Sequence, residues 1–78
     1  MENFKAISQM KPGESGVVIE FLGGKGLKQR LESLGLRVGK RVTKVSSQIW
    51  RGPQVIRIGN TQIALGLGVA NKILVKIE

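Results

Sequence analysis

Cysteine, histidine and tyrosine are all missing from the 78 residues. Their absence excludes disulfides, thiolate chemistry, zinc sites of the usual kind and an imidazole general base. Aromatic residues are nearly missing too: Phe4, Phe21 and Trp50 are the full set. Binders of single-stranded nucleic acid stack bases on aromatic platforms, and with Phe21 inside an apolar segment no such platform is available. The carboxylates Glu2, Glu14, Glu20, Glu32 and Glu78 are few and scattered, whereas hard cations need several convergent oxygens. A pair such as Glu14 and Glu20, without an imidazole beside it, is a poor set of ferrous ligands, so no metal site and no cofactor is expected. No nucleophile has a base to activate it, so catalysis is not expected either. The longest apolar or glycine run, Ile63 to Ala70, is eight residues, against about 20 for a spanning helix. No direct membrane insertion is expected. Glu2, Asn3 and Lys5 are followed by no apolar leader stretch, which makes the cytoplasm the expected compartment.

Positive charge is what the sequence has in excess, with 13 Lys and Arg against 5 acidic residues and a net +8. Such a field favours acidic partners: nucleic acid, anionic headgroups or an acidic protein face. Lys25, Lys28, Arg30, Arg37, Lys40, Arg41, Lys44, Arg51 and Arg57 crowd the middle of the chain, where they make either one basic face or, as charge runs usually do, an ordinary solvated surface. A chain of this length forms a single domain, residues 1–78, with a thin core.

The one convincing helix covers residues 27–34. Leu27, Leu31 and Leu34 recur at i, i+4 and i+7 and share a face, while Lys28, Gln29, Arg30 and Ser33 stay in water. Gly35 stands where a left-handed residue ends a helix, and Leu36 folds back on Leu31 in a Schellman cap. The remaining apolar segments have strand character. Residues 4–10 form a short cover before the turn at Lys11-Pro12-Gly13-Glu14. Residues 16–22 alternate with period two as a first strand. Val42 and Val45 mark a second strand whose spacing of three points to a bulge. Val55 to Ile58 and Thr61 to Leu65 flank Gly59-Asn60, a hairpin signal in which glycine supplies the positive φ. Residues 66–72 hold one helical turn, and Ile73, Val75 and Ile77 complete a last strand. The fold class is therefore mainly β, a small SH3-like barrel of about five strands, with one helix inserted between the first two and a short helical turn before the last. An oligonucleotide-binding barrel is the rival, but its helix falls later in the chain.

The order of these motifs resembles the FeoA family of bacterial ferrous iron uptake. Ile7-Ser8-Gln9-Met10-Lys11-Pro12-Gly13-Glu14 precedes the first strand, and Arg30-Leu31-Glu32-Ser33-Leu34-Gly35-Leu36-Arg37-Val38-Gly39 looks like the family's core motif. Gly52-Pro53, Gly59-Asn60, Ile63-Ala64-Leu65 and the Ala70, Ile73, Val75 pattern complete the match. The resemblance implies an SH3-like barrel without catalytic activity, working beside the membrane transporter FeoB through contact with its cytoplasmic part. The chain departs from the family pattern at Leu67-Gly68-Val69. The module is also similar to the C-terminal domain of DtxR-type metal-dependent regulators, but the DNA-binding half of such a regulator is not in this chain.

Two classes of function stand against each other. The first is a protein-binding accessory of ferrous iron transport. The second is a basic SH3-like nucleic-acid-binding module, weakened by the missing aromatic platform. Gly23-Gly24-Lys25-Gly26 is too short for a phosphate loop and reads as a bend. Trp50 beside Arg51 has the composition of an interface anchor and serves equally well as a plug at the barrel end. Leu67 and Val69 make either a lid or a docking patch, with the lid favoured. The expected partner-binding residues are Lys25, Lys28, Arg30, Trp50, Arg51 and Leu67, and an exposed strand edge leaves self-association open.

Overall fold

The computed structural model describes residues 3–47 and 52–78. Trp50 and Arg51, two of the expected partner-binding residues, lie outside the described residues. Six strands form a single antiparallel sheet that curls around one core. They are β1 (Phe4–Ala6), β2 (Ser15–Phe21), β3 (Arg41–Ser47), β4 (Gln54–Ile58), β5 (Thr61–Leu65) and β6 (Ile73–Ile77), hydrogen-bonded in the order β1-β6-β2-β3-β4-β5. Helix α1 (Lys25–Ser33) lies between β2 and β3, and the short α2 (Leu67–Ala70) lies between β5 and β6. The SH3-like expectation holds, and the initial cover contributes a sixth strand.

That cover is part of the core. After β1 the chain makes a 3₁₀ turn over Ile7–Gln9, and Ile7 and Met10 are buried beside Val18, Leu31, Leu36, Val42, Ile56, Leu65, Ala70, Ile73 and Val75. Burying two large side chains from this segment removes apolar surface from water at ~25 cal/mol per Å², which fixes the turn over the barrel end. Ser8 Oγ bonds Asn71 Oδ1 at the end of α2, tying the two covers together.

Glu14 fixes the turn that follows. Its Oε1 accepts from the Lys11 backbone N–H at 2.7 Å and both oxygens accept from Lys5 Nζ at 3.1 Å. The bond from the Lys11 amide, and then the one from Lys5, hold this carboxyl below its ordinary 4.5. A depressed carboxyl stabilises the fold fully above 4.5 and loses that contribution as pH falls through the depressed value. Denaturant titrations of wild type and Glu14→Gln should therefore differ at neutral pH, and the gap should narrow as pH falls below 4.5. A gap that persists unchanged at low pH would refute the assignment.

The bulge read from Val42 and Val45 is present: register shifts between Lys44 and Ser46 against β4. A second shift lies in β2 between Val18 and Glu20 against β6. Such irregularities bend and twist strands, as a tightly curled sheet requires. The β4–β5 hairpin closes on Gly59 with φ 59°, and Ile58 pairs Thr61 across the two-residue loop.

Candidate partner-docking surface

The chain leaves the sheet after Phe21 and rejoins it at Arg41, and the excursion between carries α1. Two contacts hold it down. Leu31 is buried near the C-terminal end of the helix, and Leu36 is buried just beyond the helix, with half-buried Leu27 packed against the same core. The Schellman cap forms as expected: Gly35 adopts φ 93°, its N–H donates to Glu32 O at 3.0 Å, and the Leu36 N–H donates to Leu31 O at 3.0 Å. These bonds satisfy carbonyls that the helix end leaves free.

Leu34 does not join its two companions. It occupies the cap position after the last helical residue and is 48% exposed. The helical period that places it beside Leu31 no longer applies once the backbone leaves the helix. Leu22 at 48% and Val38 at 54% are exposed as well. Three apolar side chains in water on one excursion are a feature that periodicity does not reveal; their sequence signal is position, at or beyond the helix ends.

The same stretch of chain carries charge. Lys25, Lys28, Arg30, Arg37 and Lys40 are all exposed, and none takes part in the ion pairs among the described residues, which are Lys5–Glu14 and Arg41–Glu78. Lys25 and Lys28 stand one turn apart and face the same side. Arg30, two residues beyond Lys28, projects about 160° away from it around the axis, on the helix geometry of 3.6 residues per turn. The helix thus brings two of the three expected cations together and sends the third elsewhere. Its first turn has no acidic residue and Gly24 offers no side-chain cap, so free amides and the helix dipole reinforce the two lysines.

Leu67 belongs to a different region. It starts α2 and is half-buried, while Val69 packs against the core and Ala70 is fully buried. The helical turn forms despite the departure from the family pattern, and Val69 with Ala70 gives it the character of a lid.

The nine-residue basic face is not one surface. Lys44 is an interior residue, 1% exposed, whose Nζ donates to Ile7 O at 2.7 Å and Met10 O at 3.0 Å. Burial lowers its pKa, with the Glu14 charge opposing the shift. The sequence signal was available: Val42 faces inward, and period two puts Lys44 on the same side. The ammonium fits there because it meets the 3₁₀ turn where the Met10 carbonyl is left over by the turn's own bonding, and it shares Ile7 O with the Met10 N–H. Arg41 is bound to Glu78 at 2.9 Å, and Arg57 is exposed on β4 opposite Gln62.

Among the described residues, no three His, Cys, Asp or Glu side chains gather where they could hold a metal ion. No helix among them is long and apolar enough to cross a membrane. The family model described as FeoA domain matches residues 5–77. The chain belongs to the FeoA family. A protein of Methanocaldococcus jannaschii named as an Fe(2+) transport protein A is 36% identical over 66 residues, which is 85% of this chain and 78% of that protein. The crystal structure of an iron uptake regulatory protein, FeoA, superposes with a TM-score of 0.90 at 33% identity, covering 97% of this chain and 100% of that one. A manganese-dependent transcriptional repressor shares the fold, with a TM-score of 0.87 at 17% identity, and this chain covers 42% of it. The FeoA fold described above is thus also a module of a larger metal-dependent repressor.

Proposed function

We propose that this FeoA-family chain is a cytoplasmic accessory of ferrous iron transport, acting by contact with the cytoplasmic region of the FeoB transporter and performing no catalysis of its own. The observation that carries the reading is the excursion between β2 and β3. Within 19 residues, 22–40, it presents five exposed cations without an ion-pair partner among the described residues and the exposed Leu22, Leu34 and Val38. Exposed apolar side chains and charge together on one segment are the materials of a protein interface. Membership of a family with an Fe(2+) transport protein among its relatives supplies the system in which that interface works. In this reading iron is the cargo of the system and contact is this component's means of action.

The test is a titration of the labelled chain with the transporter's cytoplasmic region and, in parallel, with an RNA oligomer, each at about 50, 150 and 400 mM salt. Binding to the transporter region that weakens only modestly with salt is expected, because apolar anchors are not screened. RNA binding with a steep logarithmic salt slope, together with no response to the transporter, would overturn the reading in favour of a nucleic-acid module.

A further inference from the structure

The two edges of the sheet are treated differently. At one edge, β1 is three residues long, carries Lys5, and has its Ala6 N–H taken by Gln9 Oε1 at 3.0 Å. Shortness, charge and side-chain capping are devices that keep an edge from pairing. At the other edge, β5 is five residues, Thr-Gln-Ile-Ala-Leu, with no charge, no proline and no register irregularity against β4. It sits in a stretch of fourteen residues, Ile58 to Asn71, that is free of charge in a chain carrying +8. Charge has been kept off this edge and off the half-buried Leu67 and Val69 that follow it.

The pairing phase shows which groups the edge offers. Ile58 and Thr61 flank a two-residue hairpin loop and exchange hydrogen bonds, so Ile56 with Ile63 and Gln54 with Leu65 do the same. The backbone N–H and C=O of Gln62 and Ala64 therefore point away from the sheet, and both residues are exposed. This arrangement is self-complementary. We propose that β5 pairs antiparallel with β5 of a second copy about a two-fold axis at Ile63. Gln62 of each copy then exchanges two hydrogen bonds with Ala64 of the other, four in all. Ile63 meets Ile63 in the closer, non-hydrogen-bonded pair, which completes the burial of a side chain that is half-buried in the single chain.

Electrostatics select a second copy over an acidic segment. An acidic partner is drawn to cations, and β5 has none, whereas a neutral edge tolerates its own image. The nearest cation, Arg57, lies on β4 opposite Gln62. In the pair the two Arg57 residues stand roughly 16 Å apart, from three strand spacings and a two-residue offset, beyond a Debye length of about 8 Å at physiological salt. The remaining repulsion is between two net charges of +8, so salt strengthens this association, opposite to its effect on binding an acidic partner.

The inference is independent of the transporter reading and is tested on the chain alone. Sedimentation equilibrium between about 10 μM and 1 mM is expected to show a monomer–dimer equilibrium, with the dissociation constant falling at least about fivefold from 50 to 500 mM salt. Ala64→Pro removes an outward N–H without touching the ladder to β4 and should weaken the dimer at least tenfold. Because a proline can disturb the strand, a second set of variants fixes the register at surface positions. Gln62→Lys mixed with Ala64→Glu places opposite charges directly across the axis and should give a heterodimer tighter than either variant alone. A monomer at 1 mM in high salt overturns the proposal, as does a dimer indifferent to these changes. So does protection of the Gln62 and Ala64 amides from exchange only when the transporter region is added, which would assign the edge to a foreign strand.

Discussion

Lys44→Ala is expected to destabilise the fold by about 3–5 kcal/mol, the range for losing a long buried side chain together with a buried charged donor. A chain of this length has roughly 4–12 kcal/mol of total stability at 0.05–0.15 kcal/mol per residue, so the variant sits close to unfolding. Two losses combine. The stem leaves a cavity between β3 and the 3₁₀ turn, and Met10 O, whose one donor among the described residues is Lys44 Nζ, is left buried without that partner. Ile7 O keeps the Met10 N–H at 3.1 Å. Lys44→Met separates the losses, because the thioether fills most of the space and removes a desolvated charge. It should cost about 1–2 kcal/mol, the price of one orphaned carbonyl less the relief of the charge. Urea unfolding of the three proteins measures both differences, and an alanine variant within 1 kcal/mol of wild type would show that the ammonium anchors nothing.

The same residue predicts a pH dependence. Desolvation lowers the folded pKa of Lys44 below the ordinary 10.5, and Glu14 only partly offsets it. Between the lowered value and 10.5 the unfolded chain holds a proton that the folded chain has released, so stability rises with pH across that window. Below it both states are charged and the contribution is flat. Wild type should gain on Lys44→Met as pH increases through the window, and a loss would reverse the assignment.

The second large effect is on binding. Replacing Lys25, Lys28 and Arg30 together by glutamate should weaken the complex with the transporter's cytoplasmic region about a hundredfold at ~0.1 M salt. Each exposed cation contributes roughly 0.2–1 kcal/mol to a favourable contact, and reversal adds repulsion of similar size, giving about 3 kcal/mol, or two decades. Arg30 projects away from the two lysines, so its single reversal should cost less than theirs and reports how far the interface wraps the helix. Arg57→Glu, on β4 and outside the excursion, is the control and should change affinity less than about threefold. Unchanged far-UV circular dichroism confirms that folding is intact. Equal losses at Arg57 and at α1 would replace a docking surface with a diffuse attraction to +8.

Much of the architecture was legible along the chain because it is encoded locally. Gly35 and Leu36 specify the helix stop whatever surrounds them, since the left-handed residue and the two bonds it closes lie within six positions. Gly59-Asn60 specifies its hairpin in the same way. The Val42 and Val45 spacing announced the bulge, and the ordered motifs identified the family. What local patterns misjudged was direction. Leu34 matched the helical period but stands after the last helical residue, and Lys44 was counted with the surface because lysine is seldom buried.

Sequence by itself determined the type and order of the main elements, because turn chemistry, capping and hydrophobic period act over a few residues. Tertiary structure alone decided which side each element shows to water. Residues 4–10 became a strand and a core plug because β6 offered them an edge and the barrel an open end. Lys44 turned inward because the Met10 carbonyl, 34 positions earlier in the chain, needed a donor, and the same ammonium also reaches Ile7 O. The contrast between a capped β1 and an open β5 exists only once both are edges of one sheet. Such matters depend on contacts between residues far apart in sequence, and the free energy of burying or pairing a group is not defined until its neighbours are in place.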